Sequence, residues 1–312
     1  MKNGHNRREF LKTGLATTAA MLTGSGAGIV GMSQVHASQF PDLVVVHGRR
    51  PAENARAAVE ALGGMRRFVK PGNKVVIKPN MSFARTPEQG SNTNPDVVAE
   101  VARLCADAGA SRISVLDNVL QSPQDCLSLS KIPAGCQLVP RTTVQNIQAR
   151  RLFLEVAVPK GVEVKKMEVI AEVLDADVLI AVPVGKSHSS AAVSLSMKGM
   201  MGLIYDRVSF HSRYNLHQAI VDMVTVLKPH LVVMDATKIL SDGGPGGPGK
   251  VIPMDLVIAS TDMVAADAQM VALGEWYGKK FKPDQVRHIR LAAEQGLGRI
   301  DLERLNVKSI NI

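Results

Sequence analysis

From residue 43 onward, short apolar runs alternate with segments whose apolar positions recur at helical spacing. Leu43-Val-Val-Val-His47, Lys74-Val-Val-Ile-Lys78 and Arg112-Ile-Ser-Val-Leu-Asp117 have the length and β-branched content of buried strands. Asp177 to Val182, Leu231 to Asp235 and Asp255 to Ala259 read the same way. The spacing predicts helices over Ala52 to Met65 and Pro95 to Ala108. In the second, Asn94 supplies an N-cap, Pro95 the first helical position and Gly109 the stop. Further helices are predicted over Met167 to Leu174, Ala191 to Ile204, Asn215 to Leu227, Ala265 to Gly274 and Pro283 to Gln295, with an edge strand over Leu152 to Val158. Strands alternating with helices predict an α/β fold, a mainly parallel sheet with helices on both faces. Residues 120–166 are less regular and leave room for a small inserted subdomain within a single α/β domain over 38–312.

The first residues change the picture. Arg7 and Arg8 precede a mild apolar stretch, and Val35-His-Ala37 supplies a small-residue cleavage pattern, so residues 1–37 read as a twin-arginine export signal. A membrane anchor is the rival, but Thr17, Thr18, Thr23, Gly24, Ser25 and Gly26 interrupt a stretch that must hold roughly 20 predominantly apolar residues to span. Export by this route predicts a periplasmic protein with no membrane span in its mature form and the twin-arginine machinery as a partner. Passengers on this route travel folded, often with a cofactor; the sequence names none.

Removing the signal leaves a net charge of about +6 out of +9. The positive charges are dispersed and only three tyrosines and one tryptophan are available for stacking, which argues against nucleic-acid binding. Cys105, Cys126 and Cys136 have no C-x-x-C spacing and are too few for an all-thiolate iron–sulfur cluster, which needs four. Cys126 and Cys136 could pair across a short loop in an oxidising compartment, whereas Cys105 sits in a helical core pattern.

The candidate chemistry gathers after the apolar run ending at Val182. Pro183-Val-Gly-Lys-Ser-His188 reads as a Gly/Ser-rich loop carrying Lys186 and His188, and Lys198-Gly-Met-Met-Gly202 brings a second lysine close in sequence. Groups leaving the carboxyl end of a buried strand in such a fold face the ligand crevice. Lys186, His188 and Lys198 are therefore the candidate catalytic residues, able to stabilise an oxyanion or transfer a proton; a solvated basic loop is the ordinary alternative. Lys78 and Asn80 leave another strand end beside Pro79 and are candidate ligand-binding residues. Gly243 and Gly244 open a Gly/Pro-rich loop able to approach a ligand. This loop contains a formal G-x-x-x-x-G-K match, which fails as a phosphate cradle because Val251 replaces the hydroxyl residue and Pro245 and Pro248 remove donors. Asp235 and Asp267 are expected to orient the cations, and His217 to join the ligand set. His211 and His217 are six apart, which does not suit one helix face. Each has an ordinary capping or polar role as its alternative, and no metal site is predicted.

In order and spacing, Val75-Val-Ile-Lys-Pro-Asn80, Thr93-Asn-Pro95, Pro183/Lys186/His188, Lys198-Gly-Met-Met-Gly-Leu203, His217, Asp235, Gly243-Gly-Pro-Gly246 and Ser260 to Asp267 resemble the domain-of-unknown-function family 362, over about Leu43 to Gly274. The resemblance implies a redox association, since many members carry an added cysteine module for an iron–sulfur cluster; this chain lacks that module. The resulting expectation is an exported, redox-associated enzyme or accessory protein that binds a small anionic or carbonyl-bearing ligand in a Lys/His-lined crevice. A non-catalytic periplasmic binding protein and a metal or cofactor carrier are the alternatives.

Overall fold

The computed structural model describes residues 39–312, so the segment read as an export signal lies outside the described residues. Its strands are β1 (Leu43–His47), β2 (Lys74–Pro79), β3 (Arg112–Asp117), β4 (Thr142–Asn146), β5 (Phe153–Ala157), β6 (Lys166–Ile170), β7 (Val178–Val182), β8 (Val184–His188), β9 (Ala192–Val193), β10 (Leu231–Leu240), β11 (Val251–Ser260) and β12 (Val307–Asn311). Its helices are α1 (Pro51–Ala61), α2 (Pro95–Asp107), α3 (Pro123–Ser130), α4 (Ile132–Cys136), α5 (Ala171–Asp175), α6 (Leu195–Gly199), α7 (Arg207–Ser212), α8 (Leu216–Val224), α9 (Met263–Leu273) and α10 (Arg287–Glu294).

The central sheet runs β12-β1-β11-β10-β7-β2-β3-β4, with β8 continuing beside β10. It is mainly parallel. The exceptions are β11, which lies antiparallel to both β10 and β1, and the two-residue β9, antiparallel to β8. Alternating residues of each strand point to opposite faces, and two separate cores follow from that alternation. Val75, Ile77, Ile113, Val115, Val178 and Ile180 pack with residues of α1 and α2 on one face. Val76, Leu116, Leu179, Ala181, Val232 and Met234 pack with residues of α6, α8, α9 and α10 on the other.

Several local expectations are corrected. Lys166 to Ile170 is a strand rather than the start of a helix, because it pairs with β5 in a separate two-stranded antiparallel sheet. That same pairing takes Phe153–Ala157 away from the edge of the main sheet, where β4 lies instead. Val184–His188 is not a loop. Pro183 interrupts the ladder, but β10 is ten residues long and extends past β7 to pair with β8. All three cysteines are buried and free, so Cys126 and Cys136 do not bridge. Asp262 caps α9 by accepting from Val264 and Ala265 N–H.

Among the described residues no helix is long and apolar enough to cross a membrane.

Candidate functional site

The carboxyl ends of β2, β3 and β8 open into a cavity of about 510 Å³, a volume suited to a small-molecule ligand. Lys78 comes from the end of β2 and Asp117 from the end of β3, and Lys78 Nζ lies 3.3 Å from Asp117 Oδ1. Lys78 Nζ also donates to the Pro79 carbonyl. The second carboxylate oxygen, Oδ2, accepts from Ser82 Oγ at 2.8 Å and Met81 N–H at 3.2 Å, which fixes Asp117 in place. Gly202 packs against this ion pair so closely that a Cβ there would meet Asp117 Oδ1 and the end of the Lys78 side chain.

Lys186 and His188 stand two apart on β8, so both side chains leave the same face of the strand. Lys186 Nζ donates to the Ser91 carbonyl at 2.6 Å and lies 4.8 Å from the centre of the Phe83 ring. The Nδ1 of His188 accepts from Ser190 N–H at 3.2 Å, which leaves the proton of the neutral ring on Nε2. Its ring lies 5.9 Å from that of His211. Lys198 sits in the last turn of α6, and its Nζ has Met201 Sδ as a partner at 3.2 Å. Arg207 opens α7 and donates to the Val119 carbonyl at 3.3 Å.

Burial governs the ionisation of these groups. It pulls the Lys186 ammonium down to about 7, assisted by Lys78 and Lys198 and opposed by Asp117. Burial likewise brings Lys198 to about 7, assisted by Arg207. Lys78 is lowered by burial against the pull of Asp117. His188 falls well below the ordinary imidazole range through burial and the adjacent cations, so its ring is neutral near pH 7. The cavity therefore holds two amines balanced between charged and neutral forms, a suitable state for proton transfer.

Of the residues singled out from sequence, Lys78, Asn80, Lys186, His188 and Lys198 line this one cavity. Asn80 also accepts from Val184 N–H through Oδ1, tying β2 to the start of β8. The others do not line it. His217 instead faces His288, ring centres 6.0 Å apart, where α8 packs on α10. Asp235 orients no cation: Oδ2 accepts from Asn94 N–H at 2.7 Å and Oδ1 from the Thr237 backbone and hydroxyl, securing the start of α2. Asp267 accepts from Ser196 N–H and Oγ and from Met197 N–H, so it holds the first turn of α6 and reaches Lys198 only through the backbone. Gly243 and Gly244 shape the loop that covers β8. Gly244 N–H donates to Ser187 Oγ at 3.0 Å, and the loop contributes Pro245 to the cavity wall.

Asp117, Arg207 and Phe83 are cavity residues that the sequence reading did not select. Asp117 carried a usable signal, being the polar end of an apolar strand like Lys78. Arg207 carried none. Among the described residues, no group of three or more His, Cys, Asp or Glu side chains is placed to hold a metal ion. A metal or cofactor carrier would draw on His188, His211 and His217, but only the first two line the cavity.

Over 221 residues the chain is 26% identical to a thylakoid-associated protein of Synechocystis, a match covering 68% of this chain and 66% of that protein, just under two thirds of its length. Among solved structures, the lactate racemase apoprotein from Thermoanaerobacterium thermosaccharolyticum aligns with a TM-score of 0.45 and 13% identity, covering 70% of this chain and 54% of the other. Residues 75–272, which include every cavity residue discussed above, match a family described as a domain of unknown function, DUF362, and the chain belongs to that family.

Proposed function

We propose that this DUF362 protein binds a small anionic ligand bearing a carbonyl group and moves a proton on it. The observation that carries the reading is the gathering of Lys78, Lys186, Lys198 and Arg207 around one cavity in which Asp117 is the single carboxylate among the described residues. Lys78, held by Asp117, and Arg207 supply fixed positive charge for the ligand's anionic group. Lys198, as the free amine, takes a proton from the carbon next to the carbonyl and becomes an ammonium. The electron pair moves to the carbonyl oxygen, where the ammonium form of Lys186 and the His188 Nε2–H meet the developing charge. Cationic and N–H donors placed where charge develops are a large source of rate acceleration.

Solvent-deuterium exchange tests this directly. With pyruvate, oxaloacetate or 2-oxoglutarate in D₂O, proton NMR should show the protein speeding loss of the signal next to the carbonyl, and Lys198→Met should abolish the acceleration. Binding without exchange would select a ligand-binding protein that performs no chemistry. If neither binding nor exchange is seen, the proposal fails.

Export is part of the proposal and rests on Arg7, Arg8 and the Val35-His-Ala37 pattern. A double Arg7→Lys/Arg8→Lys variant should remain in the cytoplasmic fraction while the wild type reaches the periplasm; equal distribution would exclude this route. A redox-accessory role rests on the family resemblance alone, and none of the three cysteines lines the cavity.

A further inference from the structure

We infer that the ligand of this cavity carries at least two anionic groups. The inference rests on the anion-binding reading above and narrows it by counting charges.

Lys78 is already matched by Asp117. The other three cations are not matched. Among the described residues, no carboxylate forms an ion pair with Lys186, Lys198 or Arg207. Their polar contacts are neutral: the Ser91 carbonyl, the Met201 thioether and the Val119 carbonyl. The two lysines are almost completely buried, at 2% and 8% exposure. Buried charge without a partner is strongly unfavourable, so proteins normally pair it, bind an ion or neutralise the group.

Neutralisation accounts for part of the unliganded state, because both lysines are brought close to neutral pH. Arg207 has no such route, since a guanidinium keeps its proton throughout the ordinary pH range. The lysines are also mutually coupled: Lys198 and Lys78 each depress Lys186. A ligand with one negative charge satisfies one member of the set and leaves the others in repulsion. Two negative charges on a compact skeleton satisfy Arg207 and the Lys186 ammonium, with proton uptake by Lys186 as the ligand enters, and leave Lys198 as the free amine. The three cations come from β8, α6 and the start of α7, three separate elements around one cavity, so separate anionic groups on one small molecule suit them. A dicarboxylate, a tricarboxylate or a phosphorylated carboxylate meets this description.

Isothermal titration at fixed ionic strength with butyrate, succinate, tricarballylate and 3-phosphoglycerate tests the inference. At least one multiply charged probe should bind about tenfold or more tightly than butyrate. The advantage should fall in Lys186→Met and in Arg207→Gln, each checked for folding by circular dichroism. Proton uptake, read from titrations in buffers of different ionisation enthalpy, should accompany the tight binding. If butyrate binds within about threefold of the best multiply charged probe, the inference is overturned while the anion site itself stands. If tight binding survives both substitutions, the charges lie elsewhere and the inference also fails. If no probe binds, the anion-binding reading fails with it.

Discussion

Lys78 and Asp117 leave neighbouring parallel strands at their carboxyl ends, and their charged groups come within 3.3 Å of each other with both side chains shut away from solvent. The contact is an ion pair by distance without being a well-formed hydrogen bond, since Asp117 Oδ1 has no hydrogen-bond partner among the described residues. The pair places the Lys78 ammonium in the cavity wall without leaving it uncompensated. Replacing one partner of a buried pair leaves an unopposed charge, typically at a cost of about 3–5 kcal/mol. Asp117→Asn should lower stability by that order in urea denaturation, and Lys78→Met with Asp117→Leu should recover much of the loss.

Gly202 sets how closely the chain passes over that pair. Its backbone carbonyl accepts from Asn118 N–H at 2.8 Å, so the segment is tied down and has little freedom to retreat. An added methyl would press on both charged groups. Gly202→Ala should cost about 1–3 kcal/mol, the usual range for overpacking. It should also weaken anion binding, because the displaced groups line the cavity. Parallel urea and titration measurements check both effects.

The depressed lysines give the unliganded protein a distinctive pH dependence. Lys186 and Lys198 lose their protons near pH 7 when folded, against the ordinary lysine value of 10.5. Between those values the unfolded chain holds more protons at these two positions, so stability should rise with pH from about 7 toward about 10. The groups facing them are Lys78, Arg207, Asp117, His188 and His211; Lys78 is itself lowered by burial and adds to the same trend, while burial lowers both histidines. Urea midpoints at pH 7, 8 and 9 should increase in the wild type and flatten in Lys186→Met/Lys198→Met. Anion affinity should run the opposite way and fall as the pH rises above 7.

Asp267 positions Lys198 from a distance. Burial pushes its carboxyl up to about 7, while donors from Ser196 and Met197 pull it down. Asp267→Ala removes the acceptor for three donors at the first turn of α6 and should cost about 1–3 kcal/mol for the groups left unsatisfied. Because Asp267 does not line the cavity, a positioning role predicts reduced anion affinity that Asp267→Asn partly restores by keeping one acceptor. A purely structural role would lower stability and leave affinity unchanged.

Much of this arrangement was legible in the chain, and the gaps have physical causes. Lys74 to Lys78 and Arg112 to Asp117 announced themselves as strands because they are buried on both faces and β-branched. Lys78, Lys186, His188 and Lys198 could be picked out as polar groups following such strands. That Lys186 and His188 lie on a strand was hidden by Pro183: the partner that extends the ladder is β10, nearly fifty residues later. Met167 and Val169 point inward and Lys166 and Glu168 outward, a period of two that local sequence also allows in a helix turn until β5 is in place. The Gly/Pro loop gave no sign that its two strands run antiparallel and insert β11 between β10 and β1. Asp235, Asp267 and His217 look like site residues in isolation, but their partners are backbone amides and another histidine brought near only by the fold.

The most direct test is a crystal of the protein soaked in selenate, a compact dianion with a strong anomalous signal. The account predicts an anomalous peak inside the cavity, within hydrogen-bonding reach of at least two of Lys186, Lys198 and Arg207, and its loss in Lys186→Met. Selenate bound only on the outer surface, with nothing in the cavity, would contradict it.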